Sequence, residues 1–84
     1  MWNDRLRIAE VVEQDWAALS AEERGEVRTA LATIDEEAIA GAPLFEPLRG
    51  LWSYRAGPLR IVYRIVAEAR FIVILAIVRA EGRL

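Results

Sequence analysis

The chain has 84 residues, 55% of them hydrophobic, with eleven basic and thirteen acidic side chains and a formal charge of −2. Such a content folds as one small domain over residues 1–84, which excludes a disordered chain and leaves no room for a second module. There is no cysteine, hence no disulfide staple or thiolate metal site, and the longest apolar run, Phe71 to Val78, is eight residues, against the roughly twenty of a membrane-spanning helix.

The N-terminus lacks the basic-then-apolar layout of a signal peptide, so a cytoplasmic protein with no membrane partner is expected. The charge is unevenly divided. Residues 1–48 hold four arginines against eleven Asp and Glu, whereas residues 49–84 hold seven arginines against two Glu. Two accounts fit: acidic helices attracting an arginine-bearing sheet, or one half facing a polyanion. Every cation is Arg, which suits phosphate forks and follows equally from Arg-favouring codon usage.

In chain order, Leu6 and Ile8 alternate with Arg5, Arg7 and Ala9 and read as a short first strand that joins the later sheet. From Glu10 the period changes. Val12, Trp16 and Leu19 stand at i, i+4 and i+7, one face of an amphipathic helix that turns Glu13, Gln14 and Asp15 outward. Ser-Ala-Glu-Glu from Ser20 forms a capping box with Glu23, which starts a second helix. Val27, Ala30, Leu31, Ile34 and Ala38 carry its apolar stripe to about Ala40, and the two helices form a hairpin. Gly41, Pro43 and Pro47 then set a loop up to Leu48, with Glu46 inside it.

Three runs follow that read as an antiparallel meander. Leu51 to Arg55 place Trp52 and Tyr54 on one side and Ser53 and Arg55 on the other, and Ala56-Gly57-Pro58 turns into the next strand. That strand, Leu59 to Val66, puts Leu59, Ile61, Tyr63 and Ile65 on one face and Arg60, Val62, Arg64 and Val66 on the opposite one. After a turn at Ala67-Glu68-Ala69, Arg70 to Val78 is so uniformly apolar that a central strand covered on both faces is expected. The expected core comprises Trp16, Val27, Leu31, Ile34, Ile61, Tyr63, Ile65, Phe71, Val73 and Leu75, because the helix stripes and one sheet face are the large apolar surfaces that can cover each other.

The string Leu48-x-Gly50-Leu51-Trp52-Ser53-Tyr54-Arg55-x-Gly57-x-x-Arg60-Ile61-Val62-Tyr63-x-Ile65 resembles the RelE/ParE superfamily of bacterial type II toxins. The front half adds to it, since Asp15-Trp16-Ala17-Ala18-Leu19-Ser20-Ala21-Glu22 is similar to the D-L-K-K-L-P-K-E pattern of that family's first helix. The resemblance covers nearly the whole chain. It implies an α+β, microbial-RNase-like fold: an N-terminal strand and a two-helix hairpin packed on an antiparallel sheet of about four strands. It also implies a ribosome-dependent endoribonuclease that cuts messenger RNA in the ribosomal A site and is neutralised by a cognate antitoxin in a hetero-oligomer. Residue by residue, Arg60 matches the arginine that contacts the scissile phosphate and Arg55 a second basic position. Glu46, in Glu46-Pro47-Leu48, resembles a glutamate that serves as general base in one branch, though its spacing to Trp52 is shorter here. Arg79 fills the terminal basic position.

Cleavage by the ribose 2′-OH needs a base, cations for the phosphorane and an acid for the leaving 5′-oxygen. Arg55 and Arg60 supply forks, Glu46 a base, and nothing an evident acid. The family's C-terminal His or Tyr is absent, and arginine does not release a proton near neutral pH. A non-catalytic alternative therefore stands beside the enzyme: a ParE-like gyrase poison, or a decayed toxin that serves as an antitoxin-binding scaffold. Trp52 and Tyr63 are read as core aromatics, Arg64 as paired with a helix carboxylate or solvated, and Trp2 as an interface residue or without a role. No Gly-rich phosphate loop or metal-ligand cluster occurs in the sequence, so no cofactor is expected.

Overall fold

The structure, a computed structural model, describes residues 5–68 and 70–80. Its elements are β1 (Leu6–Ile8), α1 (Glu10–Ala17), α2 (Ala21–Glu36), a 3₁₀ turn (Ala38–Ala40), β2 (Ala42–Pro43), β3 (Trp52–Ala56), β4 (Leu59–Val66) and β5 (Phe71–Arg79). One five-stranded sheet runs in the order β1-β5-β4-β3-β2. The expected α+β class holds, with two differences in the sheet. The first strand pairs parallel to β5, Leu6 opposite Ile72, so the sheet is mixed. The loop after α2 also contributes β2, a two-residue edge strand antiparallel to β3, where Pro43 is tolerated because an edge position can forgo a ladder donor.

The helices cover one face only. Beneath them lie Leu59, Ile61 and Tyr63 of β4, Ile72, Ile74 and Ile77 of β5, and Leu6, closed over by Val12, Val27, Ala30, Leu31 and Ile34. Trp16 and Ile65 pack against this core while only partly buried. Phe71, Val73 and Leu75, expected inside, are half-buried instead. Two facts decide this. A continuous apolar run carries no parity signal, and the β4–β5 register, which pairs Val66 with Phe71, Arg64 with Val73 and Ile65 with Ile72, shifts between Val62 and Tyr63. That bulge turns Ile72, Ile74 and Ile77 to the helices and leaves Phe71 and Val73 on the arginine-bearing side. The expectation that β5 is covered on both faces is thereby corrected.

Local chemistry explains the helix ends. Ser20 Oγ accepts from Glu23 N–H at 3.1 Å and Glu23 Oε1 accepts from Ser20 N–H at 3.0 Å, the reciprocal box expected from the sequence. The orphan carbonyls of α1 are met from the next helix: Arg24 donates to Trp16 O and Ala17 O, both at 3.1 Å, and its guanidinium and that of Arg28 lie 5.6 and 5.0 Å from the Trp16 ring. Asp15, expected to face outward, turns inward and accepts from Ile77 N–H at 3.2 Å. β1 spans three residues and reaches Ile74 of β5, and the carboxylate serves a strand donor beyond that point.

The second helix stops at Glu36, short of Ala40. Tertiary bonding overrides the helical pattern there: the buried Tyr63 hydroxyl donates to Ala38 O at 2.6 Å and accepts from Gly41 N–H at 3.2 Å. A Cβ at position 41 would stand 2.5 Å from Tyr63 Oη and 2.7 Å from Ser53 O, so this approach requires glycine. Tyr63→Phe removes one donor and one acceptor from two backbone groups at once. We expect it to cost about 1–3 kcal/mol in urea unfolding, with the fold retained by circular dichroism.

Candidate functional site

The β3–β4 hairpin turns over two residues, with Ala56 paired to Leu59. Gly57 takes φ +58°, the left-handed conformation that a two-residue loop with glycine first demands. An added Cβ there would also displace the Glu26 carboxylate on α2, the far end of a flexible side chain, so it is the positive φ that demands glycine. The hairpin tip is thus pressed onto the helix, with that carboxylate oxygen buried and without a hydrogen-bond partner.

One step back from the turn, Arg55 and Arg60 face each other across the strands. Ser53 and Val62 form the next pair on the same side, opposite the helices. Like charges placed directly opposite destabilise a sheet unless something neutralises them. Arg55 spends its Nε on Gly57 O at 2.6 Å. Arg60 is half-buried, and its Nε is a buried donor with no partner. Both line an open cavity of about 490 Å³ whose other walls include Ala40, Leu44, Ser53 and Tyr54. Among the described residues no carboxylate lines it. Two arginines share this cavity, one of them with an unused desolvated donor, and guanidinium forks of this kind suit an oxyanion with two or more acceptor oxygens, such as a phosphate or a carboxylate.

Of the four residues singled out in the sequence, the structure brings these two together. Glu46 lies in an exposed turn and pairs with Arg49 at 3.5 Å, a contact between solvated groups worth little; it does not line the arginine cavity. Arg79 belongs to the other side of the sheet. It pairs in register with the buried Leu59 and ties back to Glu23 Oε2. Ser53, the one buried polar residue among those described, was not singled out, although its alternation with Trp52 and Tyr54 already placed it in phase with Arg55. Trp52 and Tyr63 stack at 6.3 Å between centroids on the core side, as expected of core aromatics. Trp2 and the chain end from Glu81 lie outside the described residues. Among the described residues no cluster of three or more His, Cys, Asp or Glu is arranged to hold a metal, and no helix is long and apolar enough to cross a membrane.

The sequence profile of the ParE toxin of type II toxin-antitoxin systems, parDE, matches residues 3–83, and the chain belongs to that family. No curated protein sequence matches. Among solved structures, the chain is similar to the RelBE2 toxin-antitoxin complex of Mycobacterium tuberculosis, with 29% identity, TM-score 0.81, and coverage of 88% of this chain and 94% of that one. The intact RelBE toxin-antitoxin complex of E. coli matches with 19% identity, TM-score 0.75, and coverage of 92% and 96%. The archaeal RelE-RelB complex of Pyrococcus horikoshii OT3 matches with 18% identity, TM-score 0.75, and coverage of 95% and 97%. At such identities the last two speak for the fold. The protein is a toxin of a toxin-antitoxin system within the RelE/ParE superfamily.

The Glu23 carboxylate is held below its ordinary range first by its hydrogen bond to Arg79 and then by the Ser20 N–H. A depressed folded-state pKa stabilises the fold above the unfolded value, about 4.3, and that contribution is lost as pH falls through the folded value. In melts at several pH values, the stability gap between the native protein and Glu23→Gln should be constant above about pH 5 and close on further acidification.

Proposed function

We propose that this toxin acts in the cytoplasm on messenger RNA held by the ribosome, as an endoribonuclease whose own contribution is to grip the scissile phosphate with Arg60 and Arg55. The single observation that carries this reading is the cross-strand arginine pair over a cavity without acids, with the Arg60 Nε buried and unpartnered. In the reaction the 2′-oxygen bonds to phosphorus, the bond from phosphorus to the 5′-oxygen breaks, and the 2′ proton departs as the 5′-oxygen gains one. Two fixed forks suit the charge that grows on the phosphorane and need no reorganisation as it forms. The cavity walls supply neither a carboxylate nor an imidazole to carry the protons, so this chain's part is orientation and charge, with the ribosome completing the geometry.

A cognate antitoxin is the second partner. The similar structures include toxin-antitoxin complexes, and neutralisation is proposed to bring antitoxin carboxylates to Arg55 and Arg60, where they replace the phosphate oxygens. A second reading, a gyrase poison, is favoured by one specific observation: the matching profile is that of ParE toxins. It needs no proton transfer, and the arginine pair would then serve a protein or DNA surface.

Induction without antitoxin, followed by primer extension on translated messages, separates the two. Arg60→Ala should abolish growth arrest together with message cleavage, since removing one transition-state contact lowers a rate by about 10²–10³. Growth arrest with intact messages would sink the endoribonuclease reading. Because Glu46 does not line the arginine cavity, Glu46→Gln should leave cleavage within about tenfold. A loss of about 10²–10⁴ would instead restore Glu46 as the general base, brought in when RNA binds.

A further inference from the structure

Among the described residues, three large hydrophobic side chains are well exposed: Phe45 at 81%, Ile39 at 65% and Val11 at 54%. Val11 belongs to α1. The two most exposed are not scattered. Ile39 directly precedes Ala40 and Phe45 directly follows Leu44, and both Ala40 and Leu44 line the arginine cavity. Among the described residues, the two most exposed large hydrophobics are therefore chain neighbours of residues that line the cationic site.

Phe45 is held in place by its backbone. Leu44 N–H donates to Leu51 O at 2.8 Å, Leu48 N–H donates to Phe45 O at 2.8 Å, and Leu51 N–H donates to Leu48 O at 3.1 Å. These bonds close the Leu44–Leu51 segment on itself and present the ring outward from a fixed turn. A leucine or valine would cover a neighbouring surface as well; a flat ring with a face open to water is the shape that takes another flat ring. Proteins that bind single-stranded nucleic acid combine these same two parts, a cationic groove along the backbone and an aromatic on which a base stacks.

We infer that Phe45 is a stacking platform for one nucleobase of a single-stranded RNA whose neighbouring phosphate lies on Arg55 and Arg60. The assignment rests on the RNA reading above and deepens it. Because every base offers a π-face, the contact adds affinity and fixes the strand's position while reading little sequence. It sets which phosphate of the strand meets the forks, so Phe45 governs the register of cleavage.

The test uses the purified toxin and fluorescein-labelled 2′-O-methyl RNA octamers, which lack the attacking hydroxyl, with binding read by anisotropy at low salt. One octamer is intact, and the others each carry a single abasic site at successive positions. On the native protein, removing one particular base should weaken binding about 5- to 100-fold, and removing the others much less. Phe45→Ala should lower affinity for the intact octamer by a similar factor and flatten the abasic profile. Phe45→Trp should restore both affinity and profile, and Phe45→Leu should behave as Phe45→Ala does. Arg60→Ala should weaken every octamer alike. A flat profile on the native protein, an unchanged Phe45→Ala, or a Phe45→Leu equal to native would each overturn the stacking assignment; the last would make the ring an apolar anchor for a protein partner. If Arg60-dependent binding survives while the profile is flat, the Phe45 assignment alone falls. If the native protein binds no octamer, the Phe45 assignment falls, and the ribosome-dependent reading stands or falls on message cleavage after induction.

Discussion

Strand β4 sorts the molecule. Leu59, Ile61 and Tyr63 are buried under the helices, and Arg60 and Arg64 emerge on the far side because successive side chains of a strand alternate. A slip of one residue would drive two guanidiniums into the core, so the pairing of this strand is held firmly by desolvation alone. Tyr63 extends that control beyond the sheet. Its hydroxyl, bonded to Ala38 and Gly41, ends the helical stretch and sets the chain on course into β2. Of the residues so placed, Ala40, Gly41, Ala42 and Leu44 become one wall of the arginine cavity. Burial pushes the Tyr63 hydroxyl above its ordinary pKa, which keeps it a protonated donor to Ala38 through the neutral range.

The division of charge along the chain has two physical outcomes. On the helix side, carboxylates meet arginines: Arg79 reaches Glu23 of the capping box, and Arg5 lies 3.8 Å from Asp35 at the far end of α2. These pairs clamp the sheet to the second helix at both of its ends. On the other side, Arg55 and Arg60 have no carboxylate within ion-pair distance among the described residues. The attraction of acidic helices for a basic sheet therefore accounts for part of the asymmetry, and Arg55 and Arg60 stay outside it, the first bonded to Gly57 O and the second with a buried Nε that has no partner.

A fold does not by itself fix a target, which is decided by the chemistry of the site and not by architecture. A pair of forks beside an exposed ring favours a strand that carries both phosphates and bases. In the proposed endoribonuclease reading, a cavity whose described walls hold no proton carrier leaves alignment and charge as the chain's share, which a large partner such as the ribosome is suited to complete.

Much of this was legible in the residues themselves. The period of β4, the Gly57-Pro58 turn and the Ser20–Glu23 box are local signals, set by contacts a few residues apart, and the strand, helices and arginine pairing follow from them. Non-local choices were not legible. β5 is apolar at every position from Phe71 to Val78, so its inward face was decided by a one-residue bulge against β4. The parallel docking of β1 and the inward turn of Asp15 depend on an edge that exists only once the sheet is formed. Arg79 and Glu46 carried the right chemistry for the site, yet register sent one to Glu23 across the sheet and a local turn gave the other to Arg49. The sequence determined, through local alternation, which arginines stand opposite the apolar face of their strand; only tertiary structure, through strand register, set Arg55 against Arg60 and sent Arg79 to Glu23, because register is fixed by pairing between distant segments.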